Sequence, residues 1–167
     1  MFYFTKYKST IGACLLVSDE KALVGLWLEG QKYYCPIKES MQEAPDNEIL
    51  KNTKAWLDSY FAGKKPAITE LPLKPIGSSF RQDVWSILID IPYGKVITYG
   101  EIAGQIAEKY QKEKMSAQAV GGAVGHNPIS IIIPCHRVVG ADGNLTGYAG
   151  GLQKKLWLLR HEGFILK

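Results

Sequence analysis

Cysteine is scarce in this chain of 167 residues: three in all, widely spaced, with no Cys-x-x-Cys pair. An odd, scattered set builds no disulfide framework, and without paired spacing it does not read as a zinc site. Such usage implies a reducing cytosol. Long apolar runs are lacking too. No stretch of about 18 apolar residues occurs, which argues against a membrane-spanning helix. The opening MFYFTKYKST shows no charged leader, apolar run and small-residue cleavage site, so it is not expected to act as a signal peptide.

Apolar residues make up 46%, enough for one medium domain or two small ones. The net charge of +4 is unevenly placed. Residues 1–70 hold nine Lys/Arg against nine Asp/Glu, and residues 71–167 hold eleven against seven. The excess therefore lies in the second part, with the sign that suits phosphates, although one this small also serves solubility.

The stretch 66–77 carries three prolines and reads as an extended linker. It divides the chain into a scaffold, residues 1–73, and a functional part, residues 77–167. Segments 2–7, 11–17 and 22–28 read as successive antiparallel strands with a turn at Ser18-Asp19-Glu20. A helix is expected over 47–61, closed by Gly63. The second part opens with Ser79-Phe80-Arg81-Gln82, read as a capping box, ahead of Val84, Trp85 and Leu88. Thr98-Tyr99-Gly100-Glu101 is a second capping box and puts Tyr99 in the first turn of its helix.

The next helix, 117–125, contains Gly121, Gly122 and Gly125, although each interior glycine costs about 1 kcal/mol relative to alanine. Positions 118, 121, 122 and 125 share one face, with Val120 and Val124 turned to the core. A face stripped of side chains suits tight helix packing, and equally the second helix of a helix-turn-helix docked on DNA. The helices themselves leave both readings open.

Asn127-Pro128 ends that helix. Ile131-Ile132-Ile133 reads as a short apolar strand, and Pro134 forces an extended approach to Cys135. Asp142-Gly143 marks a tight turn, and a last amphipathic helix over 152–161 is capped by Gly163. Cys14 and Cys35 read as small core hydrophobes. Cys135 differs, because His136 and Arg137 follow at once. A bridging water would relay the thiol proton to His136, Glu162 would orient the imidazole, and the thiol pKa would fall. A cysteine hydrolase is one alternative, but the Pro-Cys-His-Arg order fits no hydrolase pattern.

IPCHRVV, with AVGGAVGHNP upstream and GYAGG and WLLRHEG downstream, resembles the O6-alkylguanine-DNA alkyltransferases, and FRQDVWSIL and IPYGKVITYGEIA match that family's opening. The resemblance is strong from about residue 80 to 163 and compatible in order and length before that. It implies an α+β fold: an N-terminal antiparallel-sheet, ribonuclease-H-like domain and a mostly helical C-terminal domain with a helix-turn-helix. It implies repair of double-stranded DNA, as a monomer bound through the minor groove, with the alkylated base flipped into a pocket. The alkyl group of O6-alkylguanine, and of O4-alkylthymine, passes once and irreversibly to Cys135. His136 and Glu162 match the proton relay, and Tyr99 the hydrogen-bond donor to the flipped purine. The carbonyls of Cys135 and Val138 match acceptors for the guanine amino group, and the Ala149 N–H the donor to O6. Tyr148, with Ala149 and Ser130, would set the pocket width, and Asn127 would brace the turn.

Gln118, Ala119, Gly121, Gly122 and Gly125 fall on the DNA-facing helix, and Arg137 is expected to reach phosphate or steady the turn. Gln118 occupies the place of an arginine that the family commonly inserts into the base stack. No cofactor is implied: no Gly-x-Gly-x-x-Gly follows a strand, and Cys14 and Cys35 lack the partner histidines of a zinc site. Alkyltransferase-like proteins that bind the lesion without transfer are a further alternative, but they lack the acceptor cysteine.

Overall fold

A computed structural model describes residues 1–164. By contact the chain falls into two units: residues 1–76 together with 128–132, and residues 77–127 together with those from 133 onward.

In the first unit, Phe2–Ser9 (β1) pairs antiparallel with Gly12–Ser18 (β2), and β2 with Leu23–Leu28 (β3). A fourth strand, Met41–Glu43 (β4), joins the far side of β1 in parallel, giving the order β3-β2-β1-β4. The sheet is therefore mixed, where the sequence led to an antiparallel one. Three residues, Met-Gln-Glu, carry too little alternation to announce a strand.

Leu15, Val17, Val24 and Trp27 form an apolar cluster with Phe2, Phe4, Cys35, Ile37 and Met41 packed against it. Helix α1 (Glu48–Phe61) also packs on the sheet, burying Leu50, Thr53, Trp56, Leu57 and Tyr60 along one stripe. The Asn47 side chain caps it by accepting from the Leu50 N–H at 3.1 Å.

β3 is buried along its whole length, although it ends the sheet. Its outer edge is covered by two passing segments, which blunts the pairing hazard of a bare edge. Leu23 donates to Pro72 O and accepts from Lys74 N, both at 2.8 Å. Leu26 donates to Pro128 O at 2.8 Å and accepts from Ser130 N at 2.9 Å. The proline-rich segment is thus no free linker: it carries a 3-10 turn at Ile68–Glu70 and then lies along β3.

In the second unit, α2 (Ser79–Ile89) is capped by Ser78, whose hydroxyl accepts from the Arg81 N–H. The capping box expected at Ser79 is not formed, because the cap falls one residue earlier and Arg81 then stands where a carboxylate or amide is needed. β5 (Ile97–Thr98) pairs in parallel with β6 (Val138–Val139). The box at the start of α3 (Tyr99–Lys109) is complete: Glu101 N donates to Thr98 Oγ1 at 3.0 Å, and Thr98 N to Glu101 Oε2 at 3.2 Å.

α4 (Ala117–Gly125) starts at Ser116, whose hydroxyl caps the Ala119 N–H, and buries Val120, Ala123 and Val124 against α2 and α3. Trp85 of α2 fastens it, donating its indole N–H to Ala123 O at 2.8 Å. α5 (Leu152–His161) stops at Gly163, whose φ of +84° suits glycine.

Residues 131–133 are buried as expected, but they form a turn rather than a strand, with Ile131 at φ +72°. Ser130 O accepts from Ile132 N and Ile133 O from Cys135 N, both at 2.8 Å, so the chain winds tightly into the cysteine. Burial of three isoleucines outweighs the poor fit of a β-branched residue to that conformation.

Candidate active site

Cys135, His136 and Arg137 form a single 3-10 turn in which all three side chains are buried. The turn, not an extended chain, sets their directions. Asn127 holds its entrance, donating its amide to Ile133 O at 2.8 Å. Arg137 N closes on Pro134 O at 3.0 Å, and the Val138 N–H donates to Cys135 O.

Glu162 is the hub of the site. It caps the C-terminus of α5, where the helix dipole disfavours a carboxylate. The Arg137 guanidinium, the His136 ring and a backbone N–H offset this. His136 Nε2 lies 2.6 Å from Oε2, Arg137 Nε donates to Oε1 at 2.7 Å, Arg137 Nη2 to Oε2 at 3.1 Å, and Gly94 N to Oε1 at 3.1 Å. Burial opposes its charge, but the His136 and Arg137 contacts overcome that and hold the carboxyl well below the usual range. Arg137 spends its third contact on Ile91 O at 2.7 Å. It is buried and held by Glu162 and Ile91 O, so of the two roles expected for it, reaching phosphate or steadying the turn, the first does not fit this arrangement. A desolvated guanidinium settles on the buried carboxylate within its range.

An ionised Glu162 can only accept, so Nε2 of His136 carries the proton and Nδ1 is left as the acceptor. Nδ1 is buried and has no protein partner among the described residues. Burial pushes His136 towards its neutral form against the pull of Glu162. Burial also pushes the Cys135 thiol up, although the Asn127 hydrogen bond, the Lys155 charge and a Tyr148 hydrogen bond pull the other way. The lowered thiol pKa read from the sequence is therefore not a property of the resting protein. The thiol is kept neutral by its packing, and thiolate has to be made by handing the proton on.

Tyr99 stands in the first turn of α3, half-buried, with its hydroxyl donating to Thr146 O at 3.1 Å. Burial, then the nearby Cys135, push it up to about 12, so it remains a donor. Lys155 of α5 was not foreseen. A lysine in an amphipathic helix reads as solvated, yet this one is fully buried. Its ammonium donates to Thr146 O at 3.0 Å and Gly147 O at 3.1 Å and lies 6.0 Å from the Tyr99 ring. Burial pulls it down to about 8, with Cys135 opposing.

Tyr148 and Ala149 sit half-buried in the turn closed by Gly151 N to Tyr148 O at 2.9 Å. The Ala149 N–H meets no acceptor among the described residues. Val138 is buried in β6. Ser130 counts with the first unit, where its hydroxyl lies 3.3 Å from Gln31 Oε1. On α4, Gln118, Ala119 and Gly122 are exposed and Gly121 and Gly125 half-exposed. A Cβ added to Gly122 or Gly125 would meet nothing within 4 Å, and one on Gly121 would only touch the Tyr99 ring at 3.9 Å. Tight packing within the protein therefore does not explain this face. It is open.

Two family profiles cover nearly the whole chain: the ribonuclease-like domain of 6-O-methylguanine DNA methyltransferase over residues 2–75, and the DNA-binding domain of the same family over 79–164. The chain belongs to the methylated-DNA–protein-cysteine methyltransferases. It is 39% identical to the protein of that name from Haemophilus influenzae, with 96% of this chain and 86% of that one aligned. It is 41% identical to the one from Methanosarcina acetivorans, covering 96% and 98%. A solved structure of Mycobacterium tuberculosis OGT in complex with DNA superposes with a TM-score of 0.84 at 38% identity, over 96% of this chain and 92% of that one. The α+β fold implied by the Pro-Cys-His-Arg resemblance is the fold of this methyltransferase family.

Proposed function

We propose that Cys135 is the alkyl acceptor of a DNA-repair reaction in which the alkyl group of O6-alkylguanine moves irreversibly onto this protein. The observation that carries this is the ordered series behind the thiol: His136 with Nδ1 unclaimed among the described residues, its Nε2 2.6 Å from Glu162, and Glu162 gripped in turn by Arg137.

The thiol proton passes, through one water, to His136 Nδ1, and the imidazolium formed is stabilised by Glu162. The sulfur then attacks the alkyl carbon. A carbon–sulfur bond forms as the carbon–oxygen bond breaks, and the electron pair leaves on the purine oxygen. Charge developing there meets the Ala149 N–H, while the Tyr99 hydroxyl donates to the purine ring. The Cys135 and Val138 carbonyls accept from the guanine amino group, and Tyr148 walls the pocket. The product is a thioether. No group in the site is disposed to cleave it, so each chain acts once.

A buried thiol can reach a base only if the base comes to it, so the lesion is flipped out of the duplex. The open α4 face, with Gln118, Ala119, Gly121, Gly122 and Gly125, approaches the minor groove as the second helix of a helix-turn-helix. O4-alkylthymine offers the same carbon–oxygen bond and is a second substrate. Residues 1–73 act as scaffold and 77–167 as the DNA-binding and transfer domain. The protein works as a monomer, with no cofactor, in the reducing cytosol, where Cys14, Cys35 and Cys135 stay reduced.

Intact-protein mass after incubation with a duplex bearing one O6-methylguanine tests this. One methyl per chain, absent from Cys135→Ser, is the expected result. Lesion binding with unchanged mass would reduce the protein to a lesion sensor.

A further inference from the structure

Resting on the assignment of Tyr99 to the flipped purine, we propose that Lys155 is a positioning residue that keeps the 146–149 backbone in place when the Tyr99 hydroxyl turns from Thr146 to the base.

Among the described residues, three hydrogen bonds tie Thr146 and Gly147 to the helices beside them. One comes from Tyr99 of α3, at 3.1 Å, and two from Lys155 of α5, at 3.0 and 3.1 Å. Thr146 and Gly147 are exposed, and no backbone bond holds them in a strand or helix. The two residues that follow, Tyr148 and Ala149, are those assigned to the pocket wall and to the donor aimed at O6. Tyr99 therefore has two incompatible tasks. In the base-free protein its hydroxyl is spent on Thr146 O, and in the reaction it is needed at the purine.

Lys155 resolves the conflict. An ammonium offers three protons, and two of them already hold Thr146 O and Gly147 O, so the segment stays tied when the tyrosine lets go. The position is costly for a cation. Lys155 is fully buried, with Cys135 and His136 as the titratable groups acting on it and the Tyr99 ring beside it. A role confined to filling space would be met by methionine at lower cost.

The test compares wild type, Lys155→Met and Tyr99→Phe by nitrogen-15 relaxation and by single-turnover methyl transfer at saturating O6-methylguanine duplex. In Lys155→Met, the backbone order parameters of residues 145–149 are expected to fall from about 0.85 to below about 0.6. Its transfer rate should fall on the order of a hundredfold, with affinity for unmodified duplex unchanged. Tyr99→Phe should slow transfer and leave the order parameters high. Order parameters unchanged in Lys155→Met, or lowered without loss of rate, overturn the proposal. Should the methionine variant fail to fold, Lys155→Leu, which likewise offers no N–H donor, carries the same comparison, and Lys155→Gln, which keeps an uncharged donor, should show a smaller fall in both readouts. Tyr99→Phe transferring at the wild-type rate would instead overturn the placement of Tyr99 on the purine, and the Lys155→Met relaxation would still decide the tie.

Discussion

Arg137 holds Glu162 by two N–H donors, at 2.7 and 3.1 Å, across 25 residues of sequence. Both side chains are out of solvent, 8% and 0% exposed, so this pair belongs to the interior and not to a DNA-facing surface. Removing one member leaves a buried charge without its partner, which costs about 3–5 kcal/mol. Arg137→Met should lose stability of that order in urea unfolding. The salt dependence of DNA binding should be unchanged, and a shallower salt slope would restore Arg137 to the DNA interface.

Glu162→Gln keeps the shape of the hub and removes its charge. The amide can present an N–H to His136 and so favour the wrong tautomer, and it no longer stabilises the imidazolium. Transfer should slow by about 10²-fold or more, the usual range for losing general-base assistance. Single-turnover rates at saturating duplex measure this. A rate within twofold of wild type would remove Glu162 from the relay.

Stability should fall as the solution is acidified, in two stages. Burial lowers the proton affinity of folded His136, so below about pH 6.5 the unfolded chain binds a proton that the folded chain resists. The Glu162 carboxyl is likewise depressed, so its contribution is present above about pH 4.3 and disappears as pH falls further towards its folded value. Urea unfolding from pH 8 to pH 3 should show a decline beginning near 6.5 and a further one below about 4.3, and His136→Asn should abolish the first stage. A flat profile between pH 7 and pH 5 in wild type would contradict the buried neutral imidazole.

Gln118 is exposed near the start of α4, at the position where the sequence resemblance leads one to expect an arginine. Gln118→Arg should tighten binding to alkylated duplex and steepen the dependence of log K on log salt by about one phosphate contact. Unchanged affinity and unchanged transfer rate would show that this position does not enter the stack.

Gly122 has open space where a side chain would stand. Gly122→Ala should therefore stabilise the free protein by up to about 1 kcal/mol through helix propensity. The same methyl group should weaken binding to duplex, because it stands on the face offered to DNA. A gain in stability with no loss of affinity would mean that the face is open but unused.

The ends of α4 and α5 could be read from the sequence because chemical punctuation follows them: Asn127-Pro128 after one, and Gly163 with positive φ after the other. Cys135, His136 and Glu162 were legible as a set through the Pro-Cys-His-Arg and His-Glu-Gly motifs, although spacing alone says little about a contact spanning 26 residues. What failed had no local signal. Residues 131–133 are equally apolar as strand or as buried turn, and only packing decides between them. Arg137 reads equally as a phosphate ligand or as a brace of the turn until Glu162 and Ile91 O are seen around it. Lys155 reads as solvated until the carbonyls of Thr146 and Gly147 are found at its tip.

The short stretch 128–132 counts with the sheet although the chain reaches it only after three helices of the other unit. Its Pro128 and Ser130 supply the edge hydrogen bonds of Leu26, and Ser130 also meets Gln31. A cut in the proline-rich segment would thus separate the gene into halves without separating the protein. The leading fragment would expose the polar edge of β3 at Leu26, and the trailing fragment would carry Pro128 and Ser130 without the strand edge they bond to. Interleaving of this kind makes the sheet answerable to the chain that leads into the nucleophile. Tolerance to change there is set by a strand more than a hundred residues away in sequence.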